Sequence, residues 1–376
     1  VAFANNPVTG LFIVAGMFAS NALVGWACLL AGILGVIFSK VLKQPEILIN
    51  DGVSIFNGIL VACIGVAVFP SISGHDLGSI FWLYIALAVC ITAYIDKGLN
   101  ALMASSTLPA FSLPFNLTAA ILLLTMRSHA GLEGRQMPIT STFSANLTLE
   151  LNITEALESN LTAALKAPDV EWSKVFEGTL LAAGQIYGVG TIDASILIYL
   201  GFFFYSPLLT VFFYFGSLIG TLIGVVACIP PYTEVYMGLW GYNSLLTAGG
   251  IAFFMVPTPS VTLASVVGAA LAAGVQAATM HLFSPATVPV FSYPFNVATL
   301  LIVAISKTPN PPFHWIEERT YPEKHIILHY RKQKARKCIP IRCDMQLPFH
   351  ASVRDSMKLT RIWGVRGVEL FSESTI

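Results

Sequence analysis

The chain has 376 residues, 55% of them hydrophobic and only 11% charged, with a formal net charge of zero. A soluble domain carries about 25% charged residues, so this composition excludes an ordinary water-facing surface and makes lipid the expected solvent. The charge balance gives no footing for a nucleic-acid partner, and six cysteines with no CxxC pair give none for a zinc site or a disulfide framework.

In chain order, the sequence opens on VAFANNPVTG and enters an apolar run at once, with no initiating Met and no charged signal region before it. Lys40 to Asp51 is a short link. Residues 52–75 and 98–126 contain no Asp, Glu, Lys or Arg, and a helix that crosses a bilayer needs about 20 apolar residues. The second of these windows holds LPAFSLPFNLTAAILLL, Leu108 to Leu124. The stretch from Arg127 to Lys174 is polar and carries sequons at Asn146, Asn152 and Asn160, which place it outside the cell as a glycosylated loop. Residues 194–233 and 235–306 are again free of charge, and the second window ends on VPVFSYPFNVATLLIVA, Val288 to Ala304. Together the apolar runs give about eight to ten membrane segments, some shorter than a full span. Beyond Thr308 the chain gathers Arg331, Lys332, Lys334, Arg336 and Lys337, and a basic cluster next to a last span reads as cytoplasmic.

These features divide the chain into a first membrane repeat over 1–126, an extracellular loop over 127–173, a second membrane repeat over 174–307 and a cytoplasmic basic tail over 308–376. The repeat is read from matched segments. At an offset of 185, Val1 pairs with Ile186 and Gly35 with Gly220; at 186, Asn57 pairs with Asn243; at 180, Ser112 pairs with Ser292. A loop outside and a tail inside require an odd number of crossings between them, so the second copy enters the membrane upside down. The alignment also predicts a helix before Val1 that has been cut away, ending in a polar residue equivalent to Gln185.

Pro109 and Pro114 lie five apart, as do Pro289 and Pro294. Proline removes an amide donor and breaks a helix, so neither interval is expected to be regular helix. Freed carbonyls at membrane depth are tolerated only where protein or a wet cavity satisfies them. Two inverted copies would bring these carbonyls and the Ser112 and Ser292 hydroxyls to one depth, with Asn116 and Asn243 locking the turns. No carboxylate is expected on this pathway, and His281 is the lone ionisable side chain of its window. A passage without ionisable groups favours a small, neutral, polar solute.

On these residues the chain resembles the urea transporters, whose signature is a twice-repeated Leu-Pro-x-x-Thr-x-Pro-Phe. Here it reads LPAFSLPF and VPVFSYPF, with Ser for Thr in both; NNPVTG, GQIYG, GLWGYNS and TYPEKH are similar to further family segments. The resemblance covers Val1 to Lys324. It implies an all-α polytopic membrane protein of two inverted repeats, each of about five transmembrane helices plus a tilted pore half-helix. It also implies a plasma-membrane homotrimer with one urea-conducting pore per protomer, no enzyme activity and no cofactor. Val1, Phe3 and Ile186 match positions that line the slot. Phe56 and Tyr242, at equivalent repeat positions, are candidate further walls, with Phe115 and Phe295 of the two motifs beside them. Gln185 would be a polar group at one end, and Ser112 and Ser292 replace the central threonines. Channels for water, glycerol or ammonia remain alternatives, as does, more distantly, a membrane enzyme or a receptor.

Overall fold

The structure is a computed structural model that describes residues 3–73, 76–132, 169–228, 230–283, 285, 288–316 and 320–338. Its regular elements are helices, with one isolated bridge between Met255 and Trp315. The first set is α1 Pro7–Ser20, α2 Ala22–Val41, a short α3 Glu46–Asn50, α4 Phe56–Ser73, α5 Ser79–Met103 and α6 Leu113–Leu132. After α7, Trp172–Gln185, come α8 Ile192–Tyr205, α9 Pro207–Ala227, a short α10 Thr233–Tyr236, α11 Tyr242–Phe254, α12 Pro259–Phe283 and α13 Tyr293–Ala304. A last helix, α14, spans Pro322–Cys338. The order of α1 to α6 recurs in α8 to α13; α1 and α8 are each 14 residues long, and α5 and α12 are each 25 and start 180 residues apart.

Local sequence explains the joints. Asn21 ends α1 and caps α2 by accepting the Leu23 amide at 3.0 Å. Ser206, 185 residues on, ends α8 and caps α9 by accepting the Leu209 amide at 3.0 Å. Each cap satisfies one of the orphan donors at a helix start and divides what would be one long apolar run into two angled helices.

Among the described residues, Ala22–Val41, Ser79–Ser106, Pro207–Ala227 and Pro259–Phe283 are long and apolar enough to cross a membrane, and five further apolar helices are shorter. Leu11, Ile33, Leu83, Leu263 and Val226 project large apolar side chains outward, as a lipid-facing surface requires. By contrast α11 is buried from Asn243 to Phe254. It packs against α9, α12 and α13, so it forms the inner wall of its half.

Between the halves, α1 packs on α8. Thr9 donates its hydroxyl to the Gly201 carbonyl at 2.8 Å. A Cβ on Gly201 would lie 3.2 Å from the Thr9 carbonyl, and one on Gly16 would lie 3.0 Å from the Ala194 carbonyl. Small residues let the two backbones approach, which is how helices associate where burial of apolar surface no longer drives them together. Thr9 and Ala194, and Gly16 and Gly201, are partners at the offset of 185.

The first compact unit extends from Val1 to His329. It therefore includes residues beyond 307: Phe313 is buried, and the Ile316 amide donates to the Phe254 carbonyl at 3.0 Å. The second unit, Tyr330–Ile376, is described as far as Cys338, the end of α14. Val1, the sequons at Asn146, Asn152 and Asn160, and the expected helix before Val1 lie outside the described residues.

Candidate functional site

The two proline motifs fold alike. Phe111 and Phe291 take positive φ values of 46° and 48°, a conformation costly for a bulky residue and held only by surrounding structure. α6 and α13 then start at Leu113 and Tyr293. Pro114 and Pro294 thus fall in the first helical turn, where a missing N–H forfeits no bond. Each motif is a short irregular segment followed at once by a helix.

Asparagines hold this backbone. Asn57 donates to the Phe111 carbonyl at 3.2 Å, and Asn243 donates to the Phe291 carbonyl at 3.1 Å. Asn116 and Asn296 work crosswise: the Asn116 side-chain oxygen accepts the Ser292 amide, and that of Asn296 accepts the Ser112 amide, both at 3.1 Å. Each half therefore ties down the break of the other. Asn116 had been expected to lock a turn; the turn it locks belongs to the opposite motif.

At the centre the Ser112 and Ser292 hydroxyls lie 2.6 Å apart, hydrogen-bonded to one another across 180 residues of chain. Asn296 donates to the Ser112 hydroxyl at 2.9 Å, and the Ser292 hydroxyl donates to Asn116 at 3.3 Å. A hydroxyl has one proton to give, so the chain runs in one direction: Asn296 to Ser112, Ser112 to Ser292, Ser292 to Asn116.

This pair lies on the wall of a cavity of about 330 Å³ that opens past the exposed Asn5 and Asp51. The cavity also meets Phe3, Ile186, Gln185, Phe56, Tyr242, Phe115 and Phe295, so the structure gathers every described residue proposed for the pore around one space. Gln185 donates to the Met237 carbonyl at 2.8 Å, which fixes it at the end of α7. The Tyr242 hydroxyl donates to the Phe291 carbonyl, so its ring is oriented by the break. Phe3 has a φ of 65° and Gly188, its partner at 185, a φ of 72°. The same left-handed turn places both beside the cavity.

Aromatic packing limits where a flat guest fits. The Phe3 and Phe253 ring centroids are 5.4 Å apart and those of Phe115 and Phe291 5.5 Å. A planar molecule held between parallel rings needs about 7 Å, two carbon contacts of about 3.5 Å. These pairs touch each other, and the open space lies alongside them.

One expectation is overturned. Asp96 of α5 lines the cavity and is 5% exposed, so the pathway does hold a buried carboxylate. Asn57 donates to its Oδ1 at 3.0 Å. In the second half the same place, 180 residues on, is Gln276, whose Oε1 accepts from Asn243 at 2.9 Å. Asp96 escaped notice because it lies two residues before an uncharged window and next to Lys97, where the pair reads as a helix end in headgroup water. Leu246, Phe253 and Phe254 were also missed; they look in sequence like any apolar helix face.

Apolar spanning helices wrapped around an internal space walled by hydroxyls, amides and rings define a helical, membrane-embedded protein of the kind that passes a solute. The family model for urea transporters matches residues 1–307, and the chain belongs to that family; it is a transporter and not an enzyme. Among curated proteins it is similar to Urea transporter 1 of Capra hircus, 29% identical over 343 residues that make up 89% of this chain and 82% of that protein. Urea transporter 1 of Rattus norvegicus is 28% identical over 349 residues, with the same coverage.

Proposed function

We propose that the chain is a passive, channel-type facilitator of urea, and that the cavity between the two proline breaks is the narrow part of its path. Support comes from one observation above the others: the Ser112 and Ser292 hydroxyls, one from each motif, meet at 2.6 Å on the cavity wall. Urea offers a flat apolar face and an edge of N–H donors. The hydroxyl pair and the backbone oxygens of the breaks supply acceptors, and the phenylalanines supply apolar walls. Hydration is lost on entry, which is affordable for a neutral amide and far costlier for a small ion.

The same reading makes the chain two inverted repeats, each of about five spanning helices and a pore half-helix, α6 and α13 being those half-helices. The recurrence of element order, caps and positive-φ sites favours this. One pore per protomer in a homotrimer, a glycosylated external loop, a cytoplasmic tail and a plasma-membrane address complete the proposal, on the family's pattern and on the charge distribution. Transport is uncoupled: Asp96 has the uncharged Gln276 as its mate, so a proton relay lacks a second station across the midplane.

Stopped-flow efflux from proteoliposomes tests this. The wild type is expected to release urea much faster than glycerol, with a rate indifferent to an imposed pH gradient. Ser112→Val/Ser292→Val removes both hydroxyls and is expected to cut urea flux about tenfold or more, the effect of losing a buried polar contact or two. Unchanged urea flux in the double variant would remove the serines from the path, and faster glycerol release would favour another neutral-solute channel.

A further inference from the structure

The cavity is not electrically even. Asp96 is a carboxylate 95% buried on its wall, and Asp51, in the turn before α4, also faces it. No Lys, Arg or His lines the cavity among the described residues. The nearest cation in sequence, Lys97, sends its ammonium to the Leu42 carbonyl instead. At the corresponding places the second half has Gln276 and Met237, which carry no charge. Asp51 accepts from Asn5 at 2.8 Å and Asp96 from Asn57 at 3.0 Å. A carboxylate has about four acceptor sites, and neutral amides leave its charge uncompensated. An isolated buried charge is costly unless a counter-charge meets it.

We infer that the Asp96 side of the cavity is a binding site for planar amidinium cations of the guanidinium type. Geometry favours this class over a simple metal ion. A carboxylate accepts two parallel N–H bonds from a guanidinium fork, and the Phe56, Phe111 and Phe115 rings that share the cavity suit the face of a weakly hydrated, delocalised cation. Guanidinium has the flat outline of urea, so shape does not exclude it where urea fits, and the Asp96 carboxylate supplies the counter-charge that offsets its lost hydration. A sodium ion is more strongly hydrated than guanidinium, and the aromatic faces beside Asp96 cannot replace the water it would lose. Guanidinium held at Asp96 obstructs the space beside the serine pair, so the site doubles as an inhibitory one. This last step rests on the reading of the cavity as the urea path; binding itself does not.

Two measurements test the site on the full chain. Radiolabelled guanidine binding is read on detergent-purified protein. In proteoliposomes, the guanidinium chloride concentration that halves urea efflux is read at constant ionic strength, against sodium chloride and tetramethylammonium chloride. Wild type is expected to bind guanidine and to be inhibited by guanidinium alone among the three salts. Asp96→Asn keeps an acceptor for Asn57 but loses the charge, and is expected to raise the half-inhibiting concentration about tenfold or more. Asp96→Glu keeps the charge and is expected to remain sensitive, so loss of sensitivity in Asp96→Asn is not mere misfolding. Equal inhibition of Asp96→Asn and wild type, equal inhibition by sodium, or no guanidine binding to wild type overturns the proposal. Urea flux without guanidine binding sinks the site and spares the urea reading; guanidine binding without urea flux does the reverse.

Discussion

The first and second sets of helices follow the same element order and fill it with different chemistry. Between α2 and α4, Cys28 meets Cys63, two side chains of middling size, both buried and not joined by a disulfide. Between α9 and α11 the corresponding residues are Phe213 and Gly249, a ring seated where a side chain is missing; a Cβ on Gly249 would lie 2.0 Å from the Phe213 ring. The volume at the contact is shared differently in the two places. Close packing fixes the total volume at a contact and leaves its division free. The same holds for the polar anchors, where Asn57 with Asp96 does in one half what Asn243 with Gln276 does in the other.

Substitutions at matched positions can break this comparison or refine it. The largest difference is expected at the cysteine and phenylalanine contacts. Phe213→Ala leaves a hole and should cost about 3–5 kcal/mol, against less than about 2 for Cys28→Ala. Thermal unfolding in detergent reads both, and equal losses would mean that the two contacts are not equivalent parts of the fold. Transplanting the first-half pair as Phe213→Cys/Gly249→Cys should recover at least about 1 kcal/mol relative to the sum of the single changes, because contacting residues couple.

Next come the asparagines. Asn243 is fully buried, gives two side-chain bonds and accepts the Phe295 amide at 3.3 Å. Asn57 gives two bonds, but its oxygen has no partner. Asn243→Ala is expected to cost about 3 kcal/mol and Asn57→Ala about 1–2, since each lost bond to a buried group contributes about 1 and strands its partner. Both should slow urea efflux, as both hold the breaks. A costlier Asn57 change would show that its charged neighbour outweighs the bond count.

The smallest contrast concerns two left-handed turns. Gly52 and Gly238 have φ values of 72° and 79°, where an L side chain costs about 1–2 kcal/mol. A Cβ on Gly52 meets nothing within 4 Å, but one on Gly238 would lie 2.7 Å from the Ala182 amide nitrogen. Gly52→Ala should therefore lower stability by that strain alone and Gly238→Ala by more. Equal shifts in melting temperature would mean that α7 yields to the new methyl group.

Much of the architecture was legible in the chain because its signals are local or periodic. Uncharged windows mark membrane segments, and the paired prolines mark where helices cannot continue. The offsets of 180, 185 and 186 residues survive as short identities such as Asn57 with Asn243. The site was legible to the extent that repetition pointed at it: Ser112 and Ser292 were found as mates. Asn296 was not singled out, since nothing local says that its oxygen reaches the other motif. Asp96 was not singled out either, because one charge at the rim of an apolar run gives no hint that it faces the interior.

What the chain alone fixed was its apolar solvent and the breaks in its helices, because composition and chain stiffness act over a few residues at a time. Which groups face one another was decided only in three dimensions. The hydroxyls that meet at 2.6 Å, the asparagines that cross from one motif to the other and the buried carboxylate on the cavity wall depend on how α1 crosses α8 and how α5 sits against its neighbours. Those are properties of packed surfaces some 180 residues apart, where a shift of one helical turn, about 5.4 Å, would exchange every partner while leaving the hydropathy of the chain unchanged.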